Sequence, residues 1–263
     1  MKVVLFCGGL GTRLREHSDT IPKPLVSIGV RPILWHLMRY YAHFGHKDFI
    51  LCLGYRGDMV RDYFLKYNEC LSNDFVLSDG GRSIELLTED IRDWRITFVD
   101  TGLHANIGQR LLQVRKHLAG ADAFLANYSD GLSDLPLDAQ ISDFKSRDVV
   151  ASFVGARAPQ SMHFVQSDSA GIVSEIGAVQ QADFWVNAGY FCLRADIFDY
   201  LRDGEELVEA PFQRLIAQRR LAVYRYGGFW QCMDTLKDKI SFDRMEGRGD
   251  CPWMVWKKSL DRR

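Results

Sequence analysis

The sequence lacks the residue spacings that mark a metal-bound or disulfide-bonded small domain. Its six cysteines form no CxxC pair, and no group of cysteine and histidine residues has the spacing of a zinc finger. Most of the cysteines lie in apolar, strand-like runs, where cysteine behaves as a small buried hydrophobic residue. We therefore expect reduced thiols in the core and no structural zinc.

The sequence also lacks an excess of charge and a long apolar run. The formal net charge of the 263 residues is −1, so no basic field favours nucleic acid or an anionic membrane. No apolar run approaches the roughly 20 residues of a membrane-spanning helix, and the apolar stretch at residues 1–7 is too short for a signal peptide. We expect a cytoplasmic protein that has neither nucleic-acid nor membrane partners.

Short apolar runs alternate with segments of helical spacing. Residues 2–7 and 48–54 have the composition of buried strands, whereas apolar residues recur at helical spacing in 33–44 and 59–67. This order predicts a parallel sheet with right-handed crossovers. A helix and further strands are expected later in the chain, at 108–118 for the helix and at 96–99, 123–128, 148–155 and 186–193 for the strands.

These elements predict an α/β fold with a Rossmann-like, mixed but mostly parallel sheet, flanked by helices and carrying a small β appendage. The polar segment 69–94 is interpreted as a hairpin or a lid. We find no internal repeat and no linker that would divide the chain, so one domain over residues 1–263 is expected. Its last part, from about 246 to 263, carries Trp253 and Trp256 and is expected to pack back on the domain or to meet a neighbouring subunit.

A glycine loop follows the first predicted strand directly. At Gly8, Gly9 and Gly11 the backbone N–H groups can approach phosphate oxygens without interference from Cβ atoms. The loop is not a P-loop, because no Gly-Lys-Ser/Thr follows, and it does not match the G-x-G-x-x-G motif of dinucleotide-dependent oxidoreductases. It is therefore a candidate phosphate-binding loop of another class.

Two cations distinguish this loop from an ordinary glycine-rich turn. Arg13 lies inside the loop next to Thr12, and Lys23 lies in a rigid Pro-Lys-Pro segment. Two fixed cations beside a triphosphate suit a reaction in which negative charge moves onto leaving pyrophosphate. The alternative is a strand–helix turn with surface charges, which the whole run 8–23 disfavours.

Two aspartates follow predicted strands and are candidate metal ligands. Asp130 comes after the strand at 123–128, and Asp234 follows a late strand. Magnesium is often held by one or two carboxylates together with substrate phosphates and water. An aspartate after a strand is also a common turn former or helix N-cap, and Asp134 is a competing cap. The residues alone leave both interpretations open.

Several motifs occur in order along nearly the whole chain. They are Gly-Gly-Leu-Gly-Thr-Arg-Leu at 8–14, Pro-Lys-Pro-Leu-Val at 22–26, Gly-Gln-Arg-Leu at 108–111, Asn-Ala-Gly-Tyr-Phe at 187–191 and Gly-Phe-Trp-Gln-Cys-Met-Asp-Thr at 228–235. In these motifs the chain resembles the sugar-phosphate nucleotidyltransferase family, and within it the glucose-1-phosphate cytidylyltransferases. The fold that this resemblance implies is of the nucleotide-diphospho-sugar transferase type.

The resemblance implies a magnesium-dependent cytidylyltransferase of the EC 2.7.7 type, which joins CTP to a phosphorylated acceptor and releases pyrophosphate. The nucleotide-binding half would span about 1–130 and the acceptor-binding half about 131–245. It implies catalytic roles for Arg13 and Lys23 and a metal site at Asp130 and Asp234. The implied nucleotide-binding residues are Gly8, Gly9, Gly11, Thr12, Arg13, Lys23, Gly108 and Arg110. We further expect a homo-oligomer.

The acceptor side departs from the family pattern. Ala178-Val179 stands where the resemblance places a Glu-Lys pair whose lysine binds the acceptor phosphate. No lysine occurs from 146 to 236. Arg157 and Arg194 are candidate replacements, and Asn187 could bind an acceptor hydroxyl. Two alternatives to a sugar 1-phosphate enzyme stay open: a cytidylyltransferase for a non-sugar phosphate or phosphonate, and a regulatory module that binds nucleotide without turnover.

Overall fold

A seven-stranded sheet forms the centre of the part of the chain that the computed structural model describes, residues 1–9, 21–157, 163–179 and 183–258. The strands in chain order are β1 (Lys2–Phe6), β2 (Ser27–Ile28), β3 (Arg31–Pro32), β4 (Asp48–Leu53), β5 (Phe75–Ser78), β6 (Ser83–Leu86), β7 (Arg95–Asp100), β8 (Ala123–Asn127), β9 (Gly131–Ser133), β10 (Ala151–Ala156), β11 (His163–Ser167), β12 (Val173–Ala178), β13 (Val186–Arg194), β14 (Leu221–Tyr226) and β15 (Trp230–Cys232). The described helices are α1 (Ile33–His43), α2 (Gly57–Leu65), α3 (Ile107–Val114), α4 (Leu137–Ser146), α5 (Ala210–Ala217), α6 (Leu236–Gly247) and α7 (Val255–Lys258).

The central sheet is mixed and mostly parallel, which confirms the predicted fold class. Its strand order is β14-β10-β13-β8-β1-β4-β7. Only β13 among these strands is antiparallel to its neighbours, β10 and β8. Two buried apolar clusters cover the two faces of the sheet. Strands covered on both faces read as continuous apolar runs, and β1 and β4 were recognisable in the sequence for this reason.

The predicted helices and strands are of the observed type, but some of their ends differ from those in the structure. The helix predicted at 108–118 is α3 followed by a 3₁₀ segment, Arg115–Leu118. The strand predicted at 148–155 is β10, which begins at Ala151. Among the cysteines, Cys7, Cys52 and Cys192 are buried as expected, whereas Cys70, Cys232 and Cys251 are partly exposed. In the described residues, no helix has the length and apolarity to cross a membrane.

The segment 69–94 contains a hairpin whose base is fixed to the domain. Strands β5 and β6 pair antiparallel and are largely exposed. At the base, the buried Arg31 guanidinium lies 3.6 Å from the buried Asp90 carboxylate and donates to the Asn68 carbonyl and the Ser72 hydroxyl. A buried charge is tolerated when it is paired and hydrogen-bonded in this way. The hairpin therefore projects from a rigid base.

The C-terminal part of the described chain packs on the domain through Trp253. This side chain is fully buried, its ring contacts those of Phe229 and Phe242, and its indole N–H lies 3.3 Å from Nδ1 of His36. Burial lowers the pKa of His36 to about 4, so this histidine is a neutral core residue near pH 7. The tryptophan thus joins the C-terminal segment to α1 and α6.

Truncating Trp253 should destabilise the protein strongly. We expect Trp253→Ala to lower the free energy of unfolding by about 3–5 kcal/mol, because it leaves a cavity among aromatic side chains. Urea denaturation followed by circular dichroism measures this. Leu65→Ala is the control, since Leu65 is 79% exposed and surface truncations usually cost about 0.5 kcal/mol or less. Equal midpoints for the two variants would show that the segment packs only loosely.

Candidate active site

A cavity of about 340 Å³ opens at the edge of the sheet where β1 and β8 end. Ligands of open α/β sheets gather at this edge. Its lining joins the glycine loop to the candidate carboxylates and to the start of α3. The lining residues are Phe6, Cys7, Gly8, Gly9, Lys23, Pro24, Ala105, Asn106, Ile107, Arg110, Tyr128, Ser129, Asp130, Glu206 and Asp234.

One lysine and two carboxylates meet in this cavity. The Lys23 ammonium lies 2.8 Å from Oδ2 of Asp130 and 2.6 Å from Oδ1 of Asp234. The ammonium side chain is 15% exposed, and the carboxylates are 29% and 33% exposed. Three residues far apart in the sequence therefore form one charged cluster that solvent and a ligand can reach.

The turn after β8 positions Asp130. Ser129 is fully buried and has a φ of 67°, in the left-handed region that few non-glycine residues adopt. The Asn127 side chain stabilises this turn by accepting a hydrogen bond of 2.8 Å from the Ser129 backbone N–H. Turns of this kind are often stabilised by an Asn or Asp side chain that accepts a hydrogen bond from the backbone N–H two residues later. The carboxylate of Asp130 is consequently directed into the cavity.

A short ribbon brings Asp234 to the same place. Strand β9 begins at Gly131 and pairs antiparallel with β15, with Gly131 opposite Cys232. The Met233 backbone N–H donates to the Asp130 carbonyl over 2.8 Å, so the chain passes directly alongside Asp130 before it reaches Asp234. The start of α6 then follows, where a capping box between Thr235 and Asp238 fixes the backbone.

The cluster changes the acidity of its members. Burial by itself lowers the pKa of Lys23, but attraction to Asp130 and hydrogen bonds to both carboxylates outweigh it, so the pKa of Lys23 is raised. Burial raises the pKa of Asp130; Lys23 opposes this shift only in part, and repulsion from Asp234 adds to it. The lysine is therefore charged at neutral pH and holds two carboxylates that would otherwise repel each other.

The Arg110 side chain connects the ends of three strands, in addition to the nucleotide-binding role that the resemblance implies. Its buried guanidinium donates to the carbonyls of Gly8 and Leu53 and, over 2.6 Å, to the hydroxyl of Thr101. A Cβ added at Gly8 would lie 2.0 Å from this guanidinium, so a larger residue at position 8 would displace the Arg110 side chain. The observed contacts position the glycine loop. Arg110 also lines the cavity, and its nucleotide-binding role stays a prediction.

Gly108 has a packing role that the sequence did not indicate. A Cβ at Gly108 would lie 2.2 Å from the Glu205 carbonyl oxygen, and Gly108 is not among the cavity residues. The cavity is lined instead by Asn106, which caps α3, and by Glu206, whose carboxylate accepts a 3.1 Å hydrogen bond from the Ile107 N–H. Sequence reasoning missed Glu206, because no motif marks a carboxylate that reaches a helix start from a distant loop.

The candidate acceptor residues separate into two groups. Asn187 contacts the cavity wall, since its amide donates to the Tyr128 hydroxyl over 3.3 Å. Arg194 does not belong to this edge of the sheet: it pairs with Ala123, at the opposite end of β8 from Asp130, and donates to the Val149 and Arg147 carbonyls. We therefore correct its assignment, because the antiparallel direction of β13 carries Arg194 away from the site.

Three expected site residues, Gly11, Thr12 and Arg13, lie outside the described residues. Their roles stay as the resemblance implies them. Asp134, the competing cap, accepts hydrogen bonds from the Tyr226 hydroxyl at 2.6 Å and the Phe229 N–H at 2.8 Å. It therefore fixes the loop before β15 and is not a ligand in the cavity.

The carboxylates of Asp130 and Asp234 fit a metal site whose remaining ligands come from the substrate. Among the described residues, no group of three or more histidine, cysteine or acidic side chains could hold an ion unaided. Asp130 and Asp234 supply two carboxylates, and magnesium is commonly bound by one or two carboxylates together with substrate phosphates and water. The Lys23 ammonium lies between the two carboxylates. The negative charge of the carboxylates therefore attracts a cation to this position.

The fold and this cluster define an α/β enzyme that acts on phosphates at the end of a mixed sheet. A nucleotidyl transferase family model matches residues 2–231, and the chain belongs to this family. Over 258 residues it is 36% identical to the "Probable glucose-1-phosphate cytidylyltransferase" of Bacillus subtilis and 35% identical to the glucose-1-phosphate cytidylyltransferase of Salmonella typhi. Each match covers 97% of this chain and 100% of the relative.

Solved structures share the fold. A UDP-glucose pyrophosphorylase in complex with UDP-glucose superposes with a TM-score of 0.69 at 17% identity, and covers 94% of this chain and 98% of its own. HddC from Yersinia pseudotuberculosis superposes with a TM-score of 0.65 at 20% identity, and covers 93% of this chain and 99% of its own. The sheet and its helices are therefore those of the nucleotidyltransferase fold.

Proposed function

We propose that this nucleotidyltransferase transfers a cytidylyl group from CTP to a sugar 1-phosphate and releases pyrophosphate. The observation that carries the proposal is the cluster of Lys23, Asp130 and Asp234 beside the glycine loop, in one cavity. Two relatives that match over their full length are named glucose-1-phosphate cytidylyltransferases, which supports CTP and a sugar phosphate as the substrates.

The proposed chemistry is a direct displacement. An oxygen of the acceptor phosphate attacks the α-phosphorus of CTP, a new P–O bond forms, and the bond to the β-phosphate oxygen breaks with its electron pair on pyrophosphate. Because the second pKa of a phosphate monoester is near 6, the attacking oxygen is already anionic at neutral pH. No general base is required, and the residues act by positioning and by charge stabilisation.

Each residue of the cluster has a role in this displacement. The Lys23 ammonium would neutralise the α-phosphate and the entering phosphate, and Arg13 would stabilise the leaving pyrophosphate. Asp130 and Asp234 would hold magnesium, which supplies charge neutralisation at phosphate oxygens when bound. The backbone at Gly8 and Gly9 would approach the triphosphate, held in place by Arg110.

One observation favours a second candidate. Position 179 is valine, at the place where the resemblance puts a phosphate-gripping lysine, so a non-sugar phosphate or phosphonate is the alternative acceptor class. A regulatory module without turnover is disfavoured, because the charged cluster is complete. Assembly into a homo-oligomer in the cytoplasm is also part of the proposal. Exposed apolar side chains on the β5–β6 hairpin and on β11–β12 support the assembly.

A pyrophosphate-release assay tests the function. CTP, UTP, GTP and dTTP are each combined with α-D-glucose 1-phosphate, α-D-mannose 1-phosphate, a phosphorylated alcohol and a phosphonate. We expect the fastest release with CTP and a sugar 1-phosphate, and none with unphosphorylated glucose. Release only with the phosphorylated alcohol or the phosphonate would replace the sugar by the alternative acceptor, and no release with any pair would contradict the proposal.

A further inference from the structure

Two arginines lie against one tryptophan ring at the acceptor side of the sheet edge. Trp185 directly precedes β13. The guanidinium carbon of Arg157, which follows β10, is 4.1 Å from the centre of the Trp185 ring. That of Arg225, in β14, is 5.6 Å from the same centre. A cation within about 6 Å of an indole face is attracted by the ring, so both guanidinium groups are attracted to the same Trp185 ring.

The sheet register connects this group to the cavity. Gly155 of β10 pairs with Asn187 of β13 on one side and with Arg225 of β14 on the other. Directly paired residues of neighbouring strands point to the same face of a sheet. A Cβ at Gly155 would lie 3.4 Å from the Trp185 side chain, so the tryptophan covers this glycine. Asn187 in turn contacts the cavity residue Tyr128. One row of paired residues therefore leads from Arg225 to the wall of the cavity.

The two arginines differ in their carboxylate contacts among the described residues. Arg157 lies 3.7 Å from the exposed Asp183 carboxylate and donates to the Phe184 carbonyl over 3.5 Å. In the ranges that the structure describes, no carboxylate pairs with Arg225, whose guanidinium contacts the Trp185 ring. The charge of Arg225 is therefore not neutralised by a described carboxylate, and two like charges near one ring repel each other. A bound anion would relieve this repulsion.

The position of the missing lysine is close by. Val179 lines a depression of about 820 Å³ together with Asp183 and Phe184, the two residues that Arg157 contacts. The segment where the resemblance places a lysine thus runs beside the Arg157 side chain. A guanidinium offers several N–H donors in a planar fork, which suits the oxygens of a phosphate better than a single ammonium does.

We propose that Arg225 and Arg157, oriented by Trp185, bind the phosphate of the acceptor. This arginine pair takes the place of the lysine that Val179 replaces, and the acceptor is a phosphate monoester. The inference rests on the proposed function and assigns Arg225 and Trp185, which the sequence did not indicate, as residues that determine acceptor binding. The Arg225 side chain is exposed and is not needed for the backbone pairing of β14 with β10, so its replacement should leave the fold intact.

The test uses α-D-glucose 1-phosphate as the probe, with binding measured by calorimetry and turnover measured with CTP. In Arg225→Gln we expect the Kd and the KM of glucose 1-phosphate to rise roughly ten- to hundredfold, as for a lost charged contact, with the KM of CTP unchanged. Arg225→Lys should recover part of the affinity. Adding Val179→Lys to Arg225→Gln should also recover it, because the lysine then returns to its place in the family.

Arg194→Gln is the matched control, because Arg194 lies at the opposite end of the sheet and should leave both constants unchanged. Unchanged Kd and KM in both Arg225→Gln and Arg157→Gln would overturn the inference. The proposed function would still stand if the parent enzyme turns over a sugar 1-phosphate with CTP. Conversely, Arg225-dependent binding without turnover of any sugar phosphate would support the inference and contradict the function. If the parent chain binds neither glucose 1-phosphate nor mannose 1-phosphate, both are wrong.

Discussion

Asp130→Asn and Asp234→Asn should each lower the rate of pyrophosphate release by at least about a thousandfold. Each substitution removes one of the two carboxylates that meet at Lys23. Stabilisation of phosphate charge by a bound metal contributes several kcal/mol, and about 1.4 kcal/mol corresponds to a tenfold change in rate. Asparagine has nearly the same shape, so the fold should persist. Steady-state assays across a magnesium titration, with circular dichroism of each variant, measure both effects.

The control for this experiment is Asp143→Asn, which also removes one carboxylate. Asp143 lies on α4 in an ion pair with Arg147, away from the cavity residues, and its loss should leave turnover unchanged. Excess EDTA should abolish the activity of the parent enzyme. Full activity in EDTA, or near-normal turnover in either Asp130→Asn or Asp234→Asn, would show that the two carboxylates do not hold a metal that the reaction needs.

The place of Asp130 at the end of a strand was predictable from the sequence, whereas the turn that directs its carboxylate was not. Asp130 follows a buried strand, and the ends of parallel strands meet at one edge, so a site near the glycine loop was expected. The turn that directs the carboxylate depends on Ser129 in the left-handed region. Serine has no strong preference for this conformation, and only the packed surroundings of Asn127 and Cys7 select it.

Arginine is usually exposed, so the burial of an arginine is difficult to predict from the sequence. Arg110 and Arg31 are both nearly fully buried. Arg110 is tolerated because three strand ends present oxygen atoms to one guanidinium. That convergence follows from the sheet order β8-β1-β4-β7, which no local pattern specifies.

The acceptor arginines show how strand direction decides which residue reaches a site. Arg157 and Arg194 were equally plausible along the chain, but β13 runs antiparallel and carries Arg194 to the far end of the sheet. No motif in the sequence marks Arg225. Its relation to Trp185 depends on the register of β10 between β13 and β14, and register is a tertiary property.

Lys23→Met should separate the catalytic role of the lysine from its effect on the two carboxylates. We expect the turnover number to fall roughly 10²- to 10³-fold, the loss typical of removing one group that stabilises transition-state charge. Methionine retains the unbranched, apolar part of the side chain and removes the charge. The metal-free Tm should also fall, because Asp130 and Asp234 then repel each other without a cation between them.

Magnesium should stabilise Lys23→Met more than it stabilises the parent enzyme. The Lys23 ammonium contacts both carboxylates at 2.8 and 2.6 Å, so in the parent it competes with a metal for the same oxygens. Without it, magnesium is the cation that relieves their repulsion, and ligand binding to the folded state raises the Tm. Differential scanning fluorimetry across a magnesium titration compares the two proteins.

Lys66→Met is the control, since Lys66 forms an exposed pair with Asp62 and its loss should change neither turnover nor the magnesium response. Equal magnesium-dependent shifts in Lys23→Met and in the parent would show that lysine and metal do not share these carboxylates.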